Sequence, residues 1–149
     1  MSALKSVALA IQLAKVKRDA IVLQLNRFKR SQANARDQMV QLSSYSDETY
    51  EKWILASNVG VSPEIMRHQN QFMARLQEAI ALQQTVINNS DADVLRAHKN
   101  FMASELKLAS LEHMQKKLLS RLDSVNTRKA QKQTDEFAAT KKATVFDTI

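Results

Sequence analysis

The sequence predicts an all-α chain of two long helices forming an antiparallel coiled coil, with the C-terminal helix the longer. Three observations predict it. Gly and Pro occur once each in 149 residues; turns depend on these residues for a positive or a fixed φ, so the turns are few and the elements long. Aromatic residues make up only 5%, too few for a large compact core or a β-sandwich. Apolar residues recur at heptad spacing through two stretches, parted only by the one Gly and the one Pro.

The first element is predicted over about residues 3–56. Steps of seven give Leu4, Ile11, Arg18, Leu25, Gln32, Met39, Ser46 and Trp53 at position a. Position d reads Val7, Ala14, Ile21, Phe28, Ala35, Leu42 and Thr49. Such a seam is the pattern of a coiled coil, and at 1.5 Å per residue the helix runs roughly 80 Å. Residues 1–25 are basic and acid-poor like a transit peptide, but the same apolar spacing continues to Leu42, past any sensible cleavage point.

The break is predicted at about residues 57–62, through Ser57-Asn58-Val59-Gly60-Val61. Ser62 reads as an N-cap, Pro63 as the first helical residue, and Glu64 sits at the positive end of the helix dipole. The second element, about residues 63–143, repeats the seam. Position a holds Met66, Met73, Ile80, Ile87, Val94, Phe101, Leu108, Gln115 and Leu122. Position d holds Gln69, Leu76, Gln83, Ser90, Ala97, Ser104, Leu111, Leu118 and Val125. The phase survives Asn88-Asn89-Ser90-Asp91, so one helix is expected there.

A short turn makes the helices antiparallel, with a facing d. Pairing Trp53 with Gln69 and Leu42 with Ile80 sets Phe28 beside Val94 and Ile11 beside Leu111. Gln32 then falls opposite Ser90 and Arg18 opposite Ser104. Polar layers of this kind penalise slipped alignments. Helix 2 outruns helix 1 beyond about Leu118.

The formal charge of +7 is unevenly placed. Residues 1–36 carry eight Lys/Arg and one Asp, and residues 116–142 carry eight against three acidic. Residues 37–83 hold three basic and six acidic side chains. Both chain ends are basic and the turn end is acidic.

Several chemistries are excluded. No cysteine is present, which removes disulfides, thiolate metal sites and cysteine nucleophiles. The single Gly60 provides no phosphate-cradling loop. His68, His98 and His113 share no helical turn, so no metal and no cofactor is expected. Asp47, Glu48 and Glu51 cluster on what reads as a solvated face. A two-helix rod has no concave catalytic site, so the chain is read as no enzyme. No stretch approaches the ~18 apolar residues of a membrane span.

Two features point to binding. The position before each a on helix 2 is apolar at Ile65, Phe72, Ala79 and Val86, and turns polar at Asp93 and Asn100. With Leu76 and Gln83 at nearby d positions, these form a band near the turn. Helix 1 either covers it or leaves it as a docking surface. The second feature is the basic overhang with Arg121, Arg128, Lys129 and Lys132. An acidic protein, nucleic acid drawn by counterion release or plain solvation each account for it. Nucleic-acid binding ordinarily brings aromatics for base stacking, and the overhang holds Phe137 and Phe146 alone.

Three segments carry a family resemblance. Gln71-Phe72-Met73-Ala74-Arg75-Leu76-Gln77-Glu78-Ala79-Ile80 resembles the Q-F-x-x-x-L-x-x-A-I stretch of the flagellar type III export protein FliJ family. Tyr45-Ser46-Asp47-Glu48-Thr49-Tyr50 is similar to that family's tyrosine-containing end of helix 1. Gln131-Lys132-Gln133-Thr134-Asp135-Glu136-Phe137-Ala138 resembles its Q-K-x-x-D-E-φ-A ending, with φ apolar. Together with length and charge, the likeness spans essentially the whole chain.

The resemblance implies a non-enzymatic, stalk-like coiled coil of the flagellar export apparatus, active in flagellum assembly and motility. It implies that the paired termini enter the hexameric flagellar export ATPase ring, with Arg121, Arg128, Lys129, Lys132, Asp135 and Glu136 as contacts. It implies docking on the cytoplasmic domain of the membrane export gate protein. Phe72, Leu76 and Ala79 match the docking positions, Gln83 stands where relatives carry other polar residues, and Ile65 and Val86 extend the band. It further implies binding of export chaperones, no nucleic acid, and a cytoplasmic location at the inner membrane under the flagellar base. The equivalent stalk of a virulence type III secretion system and a basic nucleic-acid-binding coiled coil are the alternatives.

Overall fold

The computed structural model describes the backbone of residues 2–147 and the side chains of residues 2–145, so the Phe146 side chain lies outside the described residues. Two helices, α1 (Ser2–Val59) and α2 (Pro63–Asp147), pack against each other as a coiled-coil hairpin. No strand occurs among the described residues.

Both helices run farther than the sequence suggests, α1 to Val59 rather than about 56 and α2 to Asp147 rather than about 143. Ser57 and Asn58 read as breakers, yet the Ser57 hydroxyl donates to the Ile54 carbonyl at 2.9 Å and keeps the helical path. The chain turns at Gly60, whose φ of +96° suits a residue without Cβ. Its N–H donates to the Ser57 carbonyl at 3.2 Å, satisfying one of the terminal acceptors. Ser62 caps α2, its hydroxyl accepting the Ile65 N–H at 3.2 Å and its carbonyl the Met66 N–H at 3.1 Å. α2 then passes through Asn88-Asn89-Ser90-Asp91 unbroken. At the far end Thr127, Thr134, Thr140 and Thr144 each turn the hydroxyl back onto the carbonyl four residues earlier.

Contacts divide the chain into two units. One joins α1 up to Lys17 with α2 from Ser104 onward. Its core is Val7, Ile11, Ala14 and Leu108, with Leu111 and Leu118 packed against it. The side chains of Val7, Ile11 and Leu108 each contribute about 1.5–3 kcal/mol of burial when fully covered. Ala3 and Leu4 meet Leu118, Arg121, Leu122 and Val125 in a shallow groove. From Leu119 through Val145 every residue is exposed.

The other unit spans Arg18–Ala103. Leu25, Ala35, Leu76, Ile87 and Ala97 are its buried apolar residues, and Ser46 is buried among them. Polar side chains bridge the two helices beside this seam. The Gln77 amide donates to the Ser46 hydroxyl at 3.4 Å. The Gln83 amide donates to the Ala35 carbonyl at 2.8 Å. The Gln32 amide donates to Asp91 at 2.7 Å, and the Arg36 guanidinium spans both Asp91 oxygens at 2.9 and 3.0 Å. Gln32 therefore reaches the neighbour of Ser90, its expected opposite. Arg18 pairs with Asp19 on its own helix at 3.1 Å.

Candidate functional site

The apolar band belongs to the Arg18–Ala103 unit and does not present all its residues alike. Ile65, Phe72 and Val86 are exposed and Ala79 half-buried. Leu76 is only 8% exposed and belongs to the seam. Gln83 is half-buried, with its amide committed to the Ala35 carbonyl and to the Gln38 side chain at 3.3 Å. The band therefore has an outward row at the positions before a, backed by Leu76 and Gln83, which fix it to α1.

Phe72 is 38% exposed and meets Tyr45 of α1 edge-on, with ring centroids 6.3 Å apart and an interplanar angle of 85°. This geometry sets the positive edge of one ring against the negative face of the other. Tyr45 is itself exposed, and Gln38, Gln41, Leu42, Tyr45 and Gln83 line an adjoining depression. The helices thus jointly offer an aromatic ridge beside a polar-rimmed hollow. Such a surface holds a partner through one or two apolar anchors and orients it by amide hydrogen bonds.

Tyr45 and Gln38 were not singled out as contact residues by the band on α2 alone. The signal was present, because both precede an a position of α1, as Phe72 does on α2. In an antiparallel pair these flanking positions meet across the seam. Asp47, Glu48 and Glu51 are exposed and place negative charge on α1 close in sequence to Tyr45. Among the described residues Asp91 is the one group with a clear shift of ionisation. The hydrogen bond from Gln32, followed by those and the charge of Arg36, holds its carboxyl below the usual range, against the opposing effect of partial burial.

The second surface belongs to the unit that contains the C-terminal part of α2. Arg121, Arg128, Lys129, Lys132, Asp135 and Glu136 are all exposed. The four cations form no ion pair among the described residues, while Asp135 accepts a hydrogen bond from Gln131 at 3.2 Å. By sequence, this unit carries twelve Lys/Arg against six Asp/Glu and the other carries ten against nine. Nearly all of the net charge thus resides here, and it attracts acidic partners over a Debye length of about 8 Å at physiological salt. Among the described residues no group of three or more His, Cys, Asp or Glu is placed to hold a metal. No helix there is long and apolar enough to cross a membrane.

The sequence pattern of the Flagellar FliJ protein family matches residues 4–143. The chain belongs to that family. As a FliJ-family member it is a non-catalytic component of the flagellar protein export apparatus. No curated protein and no solved structure matches the chain. The match takes in both surfaces described above, from Tyr45 and Phe72 through Arg128 and Glu136.

Proposed function

We propose that this FliJ-family chain is a stalk-like coiled coil that binds the hexameric flagellar export ATPase ring and docks on the cytoplasmic domain of the membrane export gate. In this reading the C-terminal stretch of α2 enters the ring, and the Phe72 face meets the gate. Export chaperones are handed on at the same assembly, which holds the chain at the inner membrane under the flagellar base and serves flagellum assembly and motility.

The observation that carries the reading is the stretch from Leu119 to Val145, exposed throughout and bearing Arg121, Arg128, Lys129 and Lys132. A helix that leaves so many residues uncovered and so many cations unpaired has the form of a segment completed by another protein. Ring subunits facing a central opening supply many copies of one acidic or polar surface, and a single basic helix addresses them without needing a unique pocket. The Phe72 face supports the second contact because its aromatic pair stays partly exposed while Leu76 behind it is buried and Gln83 half-buried.

The test is the double charge reversal Arg128→Glu with Lys129→Glu, assayed for stimulation of the purified export ATPase. Both side chains are exposed, so folding and melting stay as in the wild type while stimulation falls by an order of magnitude. Full stimulation by the reversed variant would remove the basic stretch from the ring contact.

A further inference from the structure

The apolar seam of the Arg18–Ala103 unit is only weakly selective under a shift of seven residues, because apolar residues fill most a and d positions while Gln32, Ser46, Gln83 and Ser90 interrupt them. Burial alone therefore discriminates weakly between the observed alignment and its two nearest slips. The polar bridges are not degenerate. A slip of one heptad brings Leu25 and Lys29, or Met39 and Ser43, to the places where Asp91 now finds Gln32 and Arg36. Only the observed alignment provides an amide and a guanidinium together. Gln83 reaches the Ala35 carbonyl because Ala35 is small, and a slip would set Phe28 or Leu42 there instead. Gln77, now on Ser46, would meet Met39 or Trp53.

The same slip rewrites the surface. Phe72 now has Tyr45 beside it, and the shifted alignments would replace Tyr45 by Gln38 or Lys52. The register of the unit thus decides whether the aromatic ridge exists. We propose that Asp91, held by Gln32 and Arg36, is a positioning residue that sets this register and thereby composes the face around Phe72. The proposal rests on that face being the gate-docking surface only for its functional consequence; the register itself is a separate observable. Polar contacts beside a seam penalise slipped alignments, and cross-linking reads the alignment directly, apart from any change in stability.

The absence of cysteine makes disulfide trapping in the full chain clean. Leu42→Cys with Ile80→Cys reports the observed alignment. Leu42→Cys with Met73→Cys, or with Ile87→Cys, reports the slips. In the otherwise unaltered chain the first pair links and the others do not. In Asp91→Leu the slipped pairs link readily, helicity is not reduced, and affinity for the purified gate domain falls about tenfold, as for loss of an interface anchor. The exchanged pair Arg36→Asp with Asp91→Arg restores both the register and the affinity. Should Asp91→Leu lose helicity, Arg36→Ala is the second variant, and it too must admit the slipped links. Slipped pairs that stay unlinked in a folded variant overturn the proposal. A chain of natural sequence that does not bind the gate overturns the docking reading instead, and the cross-links still decide the register.

Discussion

Replacing Phe72 by Asp separates surface from seam, because Phe72 and Leu76 are one helical turn apart yet face different surroundings. Phe72 is 38% exposed and its main aromatic contact is the edge of Tyr45. Losing that pair costs about 0.5–1.5 kcal/mol beyond the burial it forfeits, and the partial burial of the ring adds roughly 1 kcal/mol. At about 3 °C per kcal/mol for a chain of this size, Phe72→Asp lowers the melting temperature by roughly 5–8 °C. Leu76 is 8% exposed, and Leu76→Ala removes seam atoms at a cost of about 3 kcal/mol, or roughly 10 °C. Binding moves the other way. An interface anchor contributes about 2 kcal/mol or more, so Phe72→Asp weakens the gate complex about 30-fold or beyond while circular dichroism still shows the native helix content. The assay is titration calorimetry against the gate domain beside thermal melts of both variants. A Phe72→Asp chain that melts as low as Leu76→Ala would show that the ring is core, and unchanged gate affinity would refute its role as anchor.

Three further outcomes follow from the turn and the bridges. Gly60→Ala meets no steric neighbour within 4 Å but keeps a φ of +96°, so its cost is backbone strain of about 1–2 kcal/mol, read as a melting point several degrees lower. Ser62→Ala removes the acceptor of the Ile65 N–H and costs about 1 kcal/mol; unfolding by urea measures it, and an unchanged midpoint would deny the cap. The Asp91 carboxyl is held below its ordinary value of 3.8, first by Gln32 and then by Arg36. A depressed folded-state value means a stabilisation present in full well above 3.8 and lost as the pH falls through and below it. Wild type therefore melts above Asp91→Asn at pH 7, and the gap closes as the pH falls below 3.8; a constant gap would exclude the carboxylate as its source.

The heptads carried most of the fold. Every a and d residue from Leu4 to Trp53 and from Gln69 to Leu118 is buried or half-buried, and Met66 beside the turn is exposed. Gly60 announces the turn by lacking a Cβ, Pro63 by its fixed φ, and Ser62 by a hydroxyl that caps the following helix. The helix ends were less legible, since Ser57 can either stop a helix or, as here, bond back to Ile54 and prolong it. The bridges from Gln32, Arg36, Gln77 and Gln83 were not foreseen. Long amides beside a seam have many rotamers, and only packing selects the one that spans the gap. The Phe72 band was legible as a row of apolar residues, but its split into exposed Phe72 and buried Leu76 depends on the rotation of α2 against α1. The exposure of Arg128 and Lys129 followed from the simple excess length of α2.

The proposed role of this FliJ-family helix pair is to engage the export ATPase. Adding the purified full chain to that ATPase, with hydrolysis and complex formation followed together, tests it most directly. The expected result is a complex that raises the rate of hydrolysis and weakens steeply with added salt, as a contact made by exposed cations would. An ATPase whose rate and sedimentation are indifferent to the chain at low salt would contradict it.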